Sequence, residues 1–188
     1  MPLAIIGITR AFGIDFTSYL SAFGAELLDE LQTASIVDVL TRCCWYLKWS
    51  DLVIPKYRNP DKLKDYVTSV NKLIMGTGGT PTIPLYIGQG ALGEIEGTPG
   101  DKECIGRGDG VMIAGDVRTL ARGYCAKGTK VHYEEYRALS HVTSVAVWLP
   151  SSIAWIKERF AGLPAPQNCS SIAAGNSLDP IPVPPEDC

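Results

Sequence analysis

No stretch of this 188-residue chain approaches the 18 or more consecutive apolar residues of a membrane-spanning helix. Neither sign of charge dominates: 17 basic against 20 acidic residues leave a net charge of −3, which offers no broad basic surface to nucleic acid or an anionic membrane. The nearest approach to a basic cluster, Lys62, Lys64 and Lys72, reads as a solvated helix face. Histidine is scarce, with only His132 and His141, and there is no C-x-x-C, so the usual zinc patterns are missing and neither metal nor organic cofactor is expected. The start, Met1-Pro2-Leu3-Ala4-Ile5-Ile6-Gly7, has no basic n-region and no cleavage site; it reads as a chain that begins inside a domain and not as a signal peptide.

What remains is a globular composition. Apolar residues make up 46% and charged residues 20%, in a chain long enough to bury a core. Six cysteines, Cys43, Cys44, Cys104, Cys125, Cys169 and Cys188, are many for a cytosolic domain of this size and predict disulfides in an oxidising compartment.

The grammar changes near residues 76–80. Upstream it is helical. Ser21 predicts a cap for a helix through Ala25–Leu31, a second helix is expected from about Ala34 to Leu47, and a third opens with Asn59 as N-cap and Pro60 as first helical residue. Downstream, Thr82 to Ile87 predicts a buried strand ending at Gly88, followed by a Gly-rich loop to about Gly115. Asp116 is expected to cap a helix that stops at Gly128, and Lys130 to Tyr136 to form a second strand. A short loop then carries His141, ahead of a helix broken at Pro150, resumed at Ser151 and ended by Gly162. Six prolines between Pro164 and Pro185 mark an extended tail.

Two motifs in this region mislead. Gly88-Gln89-Gly90-Ala91-Leu92-Gly93 satisfies G-x-G-x-x-G, but a dinucleotide fold needs that loop to open directly into a helix, and Gly97, Pro99 and Gly100 follow too closely. Arg107-Gly108-Asp109 spells an adhesion tripeptide, for which a simple turn is sufficient explanation.

The order strand, long loop, helix, strand, short loop with histidine, helix is the layout of the last third of an α/β-hydrolase, with the acid on the first loop and the histidine on the second. Particular residues narrow this. Tyr124-Cys125-Ala126-Lys127-Gly128, the run Tyr136 to Thr143 and the run Ala154 to Cys169 resemble, in order and spacing, the secretory lipases of yeast lipase A type found in fungi and actinobacteria. Weaker similarity from Ile6 to Pro55 resembles that family's helical, lid-bearing cap.

The resemblance implies an α/β fold: the C-terminal part of an α/β-hydrolase sheet at residues 79–169, a helical cap or lid at 1–78, and a Pro-rich tail at 170–188. It implies that His141 is the catalytic base and, since Asp109 stands as far before Cys125 as His141 stands after it, that Asp109 is the acid. Asp116 and Glu94 are the other candidates, because family members often carry the acid a few residues after the strand; residues from about Gly93 to Gly108 then read as an insertion. It also suggests a Cys125–Cys169 disulfide. Phe12, Phe16, Tyr19 and Phe23 would contribute to an acyl-chain tunnel or lid, against plain packing of the cap.

The nucleophile is missing: no glycine opens a G-x-S-x-G, and the nearest miss, Gly175-Asn176-Ser177-Leu178-Asp179, lies in the tail. The expectation is therefore a secreted serine lipase or carboxylesterase whose serine precedes Met1. Its partners would be an acyl-lipid or ester substrate and the missing N-terminal half, and the chain alone would be inactive. The rival is a truncated, non-catalytic fragment or partner-binding half.

Overall fold

The computed structural model describes residues 2–35, 37–39, 44, 47–96, 101, 103 and 105–184. Cys43, Cys104, Cys188, parts of the helix expected at 34–47 and residues 97–100, 102 and 104 of the expected insertion lie outside them. The protein is a mixed α/β chain in two compact units, Met1–Ile74 with Asp179–Cys188, and Met75–Leu178.

The first unit is helical. Pro2 opens α1 (Pro2–Phe12), where a proline costs no hydrogen bond, and Ile5, Ile6 and Ile8 are buried. Ser21 caps α2 (Ala22–Glu30) as expected, its hydroxyl accepting from the Gly24 N–H at 3.1 Å. A single turn, α3 (Trp49–Leu52), follows. The helix expected from Asn59 is interrupted: Asn59 and Pro60 start only a 3₁₀ turn, Pro60–Lys62, then Leu63 becomes extended and buried before α4 (Lys64–Asn71) begins. Burying Leu63 in the core outweighs helical continuity. Phe16 is also committed to packing, 2% exposed and edge-on to Trp49 and Tyr66, each at 6.3 Å, whereas Phe23 is exposed.

The second unit has a two-stranded parallel sheet, β1 (Leu85–Gly90) and β2 (Val131–Tyr136), in the register Leu85↔Val131 to Gly90↔Tyr136. The crossover helix α5 (Ala114–Ala126) covers one face, packing Val117, Ala121 and Tyr124 with Val131, Tyr133 and Ile172. On the other face α6 (His141–Phe160) sets Trp148 and Trp155 against Tyr86, with ring centroids 6.0 and 6.1 Å away. Alternation of side chains along the strands supplies both faces.

Several expectations need correction in this unit. The strand begins three residues later than the run Thr82–Ile87 suggests and continues through Gly88 and Gly90; Ile83 is exposed. Asp116 does not cap α5, whose N-cap is Ile113; it lies in the first turn and accepts from Asn176 Nδ2 at 2.8 Å. Pro150 does not break α6, because tryptophans on both sides of it pack against the same Tyr86 ring. Nor is the segment after Cys169 a bare tail. Ile172 is buried, its carbonyl accepts from Arg122 Nη1, and Asn176 donates its N–H to the Gly115 carbonyl and accepts from Thr119 Oγ1 at its own carbonyl.

The expected disulfide is present: Cys125, at the end of α5, is bonded to Cys169. It closes a loop that contains β2 and α6. Among the described residues no helix is long and apolar enough to cross a membrane.

Candidate acid–base site

β1 ends at Gly90, and at this end the two functional segments meet. A Cβ on Gly90 would lie 2.6 Å from the Leu139 carbonyl, 2.8 Å from that of Ser140 and 3.0 Å from Asp109 Cβ. Only glycine permits that approach. Gly88 is constrained in the same way by the Trp148 ring, which a Cβ would meet at 2.2 Å. The G-x-G of the apparent dinucleotide motif thus lies inside a strand, and a 3₁₀ turn, Gly93–Glu96, follows it in place of a phosphate-binding helix.

Asp109 sits in a tight turn closed by the Gly108–Ile113 bridge, with Gly110 at φ 106°, a left-handed conformation that favours glycine. Its Oδ1 accepts from the Val111 and Met112 N–H groups at 2.9 and 2.7 Å. The carboxylate is 2% exposed, so Arg107-Gly108-Asp109 is not a presented adhesion loop.

His141 is not on a loop, as expected, but is the first residue of α6. Ser140 and Thr143 cap that helix reciprocally: Thr143 N–H donates to Ser140 Oγ, and Ser140 N–H donates to Thr143 Oγ1. The cap fixes the backbone at the histidine, whose own N–H donates to the Asp109 carbonyl at 2.6 Å. The His141 ring lies with Nδ1 2.9 Å from Asp109 Oδ2, its side chain still 45% exposed. Of the three carboxylates considered from sequence, Asp109 is the one in contact with His141. Asp116 is bound to Asn176 in the first turn of α5, and Glu94 is exposed. His132 lies mid-strand with Nε2 3.1 Å from Glu134 Oε1.

A cavity of about 600 Å³ adjoins the pair. Its walls include Leu120 and Tyr124 of α5 and Val145 and Trp148 of α6, which lie on opposite faces of the sheet, together with Leu85 and Ile87 of β1. It therefore runs along the edge of β1 that faces away from β2. Asp109 and His141 are part of its lining.

Sequence reasoning missed Glu96. This carboxylate is buried, at 5% exposure, and its Oε1 accepts from Ser140 Oγ and, at 3.3 Å, from the Val142 N–H. Nothing in the spacing of Gly93-Glu94-Ile95-Glu96 distinguishes it from its exposed neighbour Glu94. Beneath α6, Glu134 accepts from Tyr86 and Tyr136 at Oε2. Burial opposes its ionisation, but the bonds from Tyr136, Tyr86 and His132 outweigh that and hold its carboxyl below the ordinary value. Burial, then the bond to Glu134, raises both tyrosines.

A buried carboxylate bonded to one nitrogen of a half-exposed imidazole is the acid–base arrangement of hydrolases that use a nucleophile. The model of the secretory lipase family matches residues 104–168, a segment that carries Asp109, Cys125 and His141. The resemblance is thus shown over about a third of the chain, and at the level of that family the chemistry is lipid ester hydrolysis. No curated protein matches the chain. No solved structure matches it either.

Proposed function

We propose that this chain is the acid- and base-bearing part of a secreted α/β-hydrolase that cleaves carboxylic esters of acyl lipids through an acyl-serine intermediate. His141 would take the serine proton through Nε2 and return it to the leaving alcohol, while Asp109 holds the tautomer with hydrogen on Nδ1 and stabilises the imidazolium. The observation that carries this reading is the 2.9 Å contact between His141 Nδ1 and the buried Asp109 carboxylate. The Cys125–Cys169 disulfide agrees with an extracellular setting.

The serine would come from a segment outside these residues. Two features support such a partner. Among the described residues β1 is hydrogen-bonded to β2 on one side only, and the cavity along its other edge is bounded by apolar side chains from both faces, the setting of one more strand. Val142, Val145, Leu149, Ile153, Ile156 and Phe160 form an exposed apolar stripe at helical spacing on α6. The helical unit would serve as cap or lid. The same open edge and stripe also suit a partner-binding half with no turnover.

Joining or mixing the chain with a serine-bearing N-terminal half of a secretory lipase separates the readings. Hydrolysis of nitrophenyl esters is expected to appear, to fall by roughly three orders of magnitude or more with His141→Ala, and to survive His132→Ala nearly unchanged. Equal losses from the two substitutions, or no turnover from a stable assembly, would refute the enzymatic reading.

A further inference from the structure

The strand end, the Asp109 turn and the first turn of α6 converge on Glu96, a residue outside the proposed acid–base pair. Its Oε1 accepts from Ser140 Oγ and from the Val142 N–H, the residues that flank His141 on either side. Its Oε2 is buried without a hydrogen-bond partner among the described residues. On the other flank its stem leaves no room for a side chain at Gly110, where a Cβ would lie 2.6 Å from Glu96 Cβ and 3.0 Å from Oε2. Glu96 therefore touches both turns that hold the pair, one through hydrogen bonds and the other through packing.

Burying a carboxyl with one oxygen unpaired costs stability, which the bonds from Ser140 and Val142 to the other oxygen help to offset. Ser140 is fully buried, and its hydroxyl serves as helix cap while also donating to Glu96. Were the acceptor withdrawn, that hydroxyl would have to find another orientation and the Val142 N–H, in the first turn of α6, would lose a partner. Both changes bear on the one residue between them.

We infer that Glu96 is a positioning residue for the His141–Asp109 hydrogen bond: by accepting from Ser140 and Val142 it fixes the first turn of α6 so that Nδ1 meets the Asp109 carboxylate. It acts through its acceptor oxygen and its reach, and it does not touch substrate. The catalytic importance of this role rests on the function proposed above, but the geometry can be measured without turnover.

The chain contains two histidines, so isotopically labelled imidazoles give two sets of nuclear magnetic resonance signals. The measurement is the solvent exchange of the His141 Nδ1 proton in the 188-residue chain. Glu96→Gln retains an acceptor oxygen at the same reach and is expected to leave that exchange near wild type. Glu96→Asp keeps the carboxyl group but draws it back by about 1.5 Å. It and Glu96→Ala are expected to accelerate exchange at least about tenfold, while the β1–β2 amides stay protected. If the alanine variant does not fold, the aspartate variant decides. Wild-type exchange in the aspartate or alanine variant would overturn the inference, as would a loss in Glu96→Gln as large as in Glu96→Asp. A dispensable His141 in the joined enzyme would instead overturn the proposed function and leave this result standing.

Discussion

At the scale of the residue, the two halves of the site differ in how they announce themselves. Asp109 and His141 could be singled out because their types and their register with Cys125 are written along the chain, and the structure brings the two side chains into contact. Glu96 could not, because its role comes from burial beside Ser140, which linear spacing does not encode. Glu134 is similarly silent in sequence, and it has a pH consequence. Its folded-state carboxyl is held below the ordinary value, so the unfolded chain binds the proton more readily. The stability it contributes is present above the ordinary glutamate range and is lost as pH falls through the lowered folded-state value. Thermal denaturation from about pH 6 to about pH 3 should therefore show a steeper loss in the wild type than in Glu134→Gln. Parallel curves would remove Glu134 from the acid response.

At the scale of the element, β2 falls within a residue of its predicted span, since Val131 and Tyr133 alternate inward as a strand requires. β1 was displaced because glycine reads as a terminator, whereas Gly88 and Gly90 are inside the strand to admit Trp148 and the turn before His141. α6 held a usable signal in the Ser140-x-x-Thr143 pattern, which puts His141 on a capped helix; the proline at 150 was the more conspicuous and less decisive feature. The Cys125–Cys169 bridge ties the end of α5 to the segment after α6. Closing a loop of 44 residues is worth about 4 kcal/mol in the chain-entropy model. Peptide mapping without reduction should recover the cross-linked pair, and Cys125→Ser with Cys169→Ser should lower the midpoint of chemical denaturation. Free thiols at both positions in secreted material would contradict the bridge.

At the scale of the whole molecule, the change of pattern near residues 76–80 lies close to the boundary between the two compact units at Ile74 and Met75, but no local pattern signals that the segment from Asp179 groups with the first. There Asn71 and Ile181 exchange two hydrogen bonds, a pairing across more than a hundred residues that no local pattern signals. An acid and a base do not by themselves provide an acyl-enzyme route, which needs a nucleophile and oxyanion donors. The 188-residue chain alone is therefore expected to hydrolyse neither short- nor long-chain nitrophenyl esters above background and to take no label from a fluorophosphonate. Labelling at any serine, Ser177 included, would put the nucleophile inside the chain. The open edge of β1 also makes the protein its own optical gauge. Trp148 lies against Gly88, lines the cavity there and is partly exposed, so a strand arriving at that edge would cover the rest of the indole ring and move its emission to shorter wavelength. Assembly with the proposed serine-bearing segment could then be followed by light alone, before any ester is added.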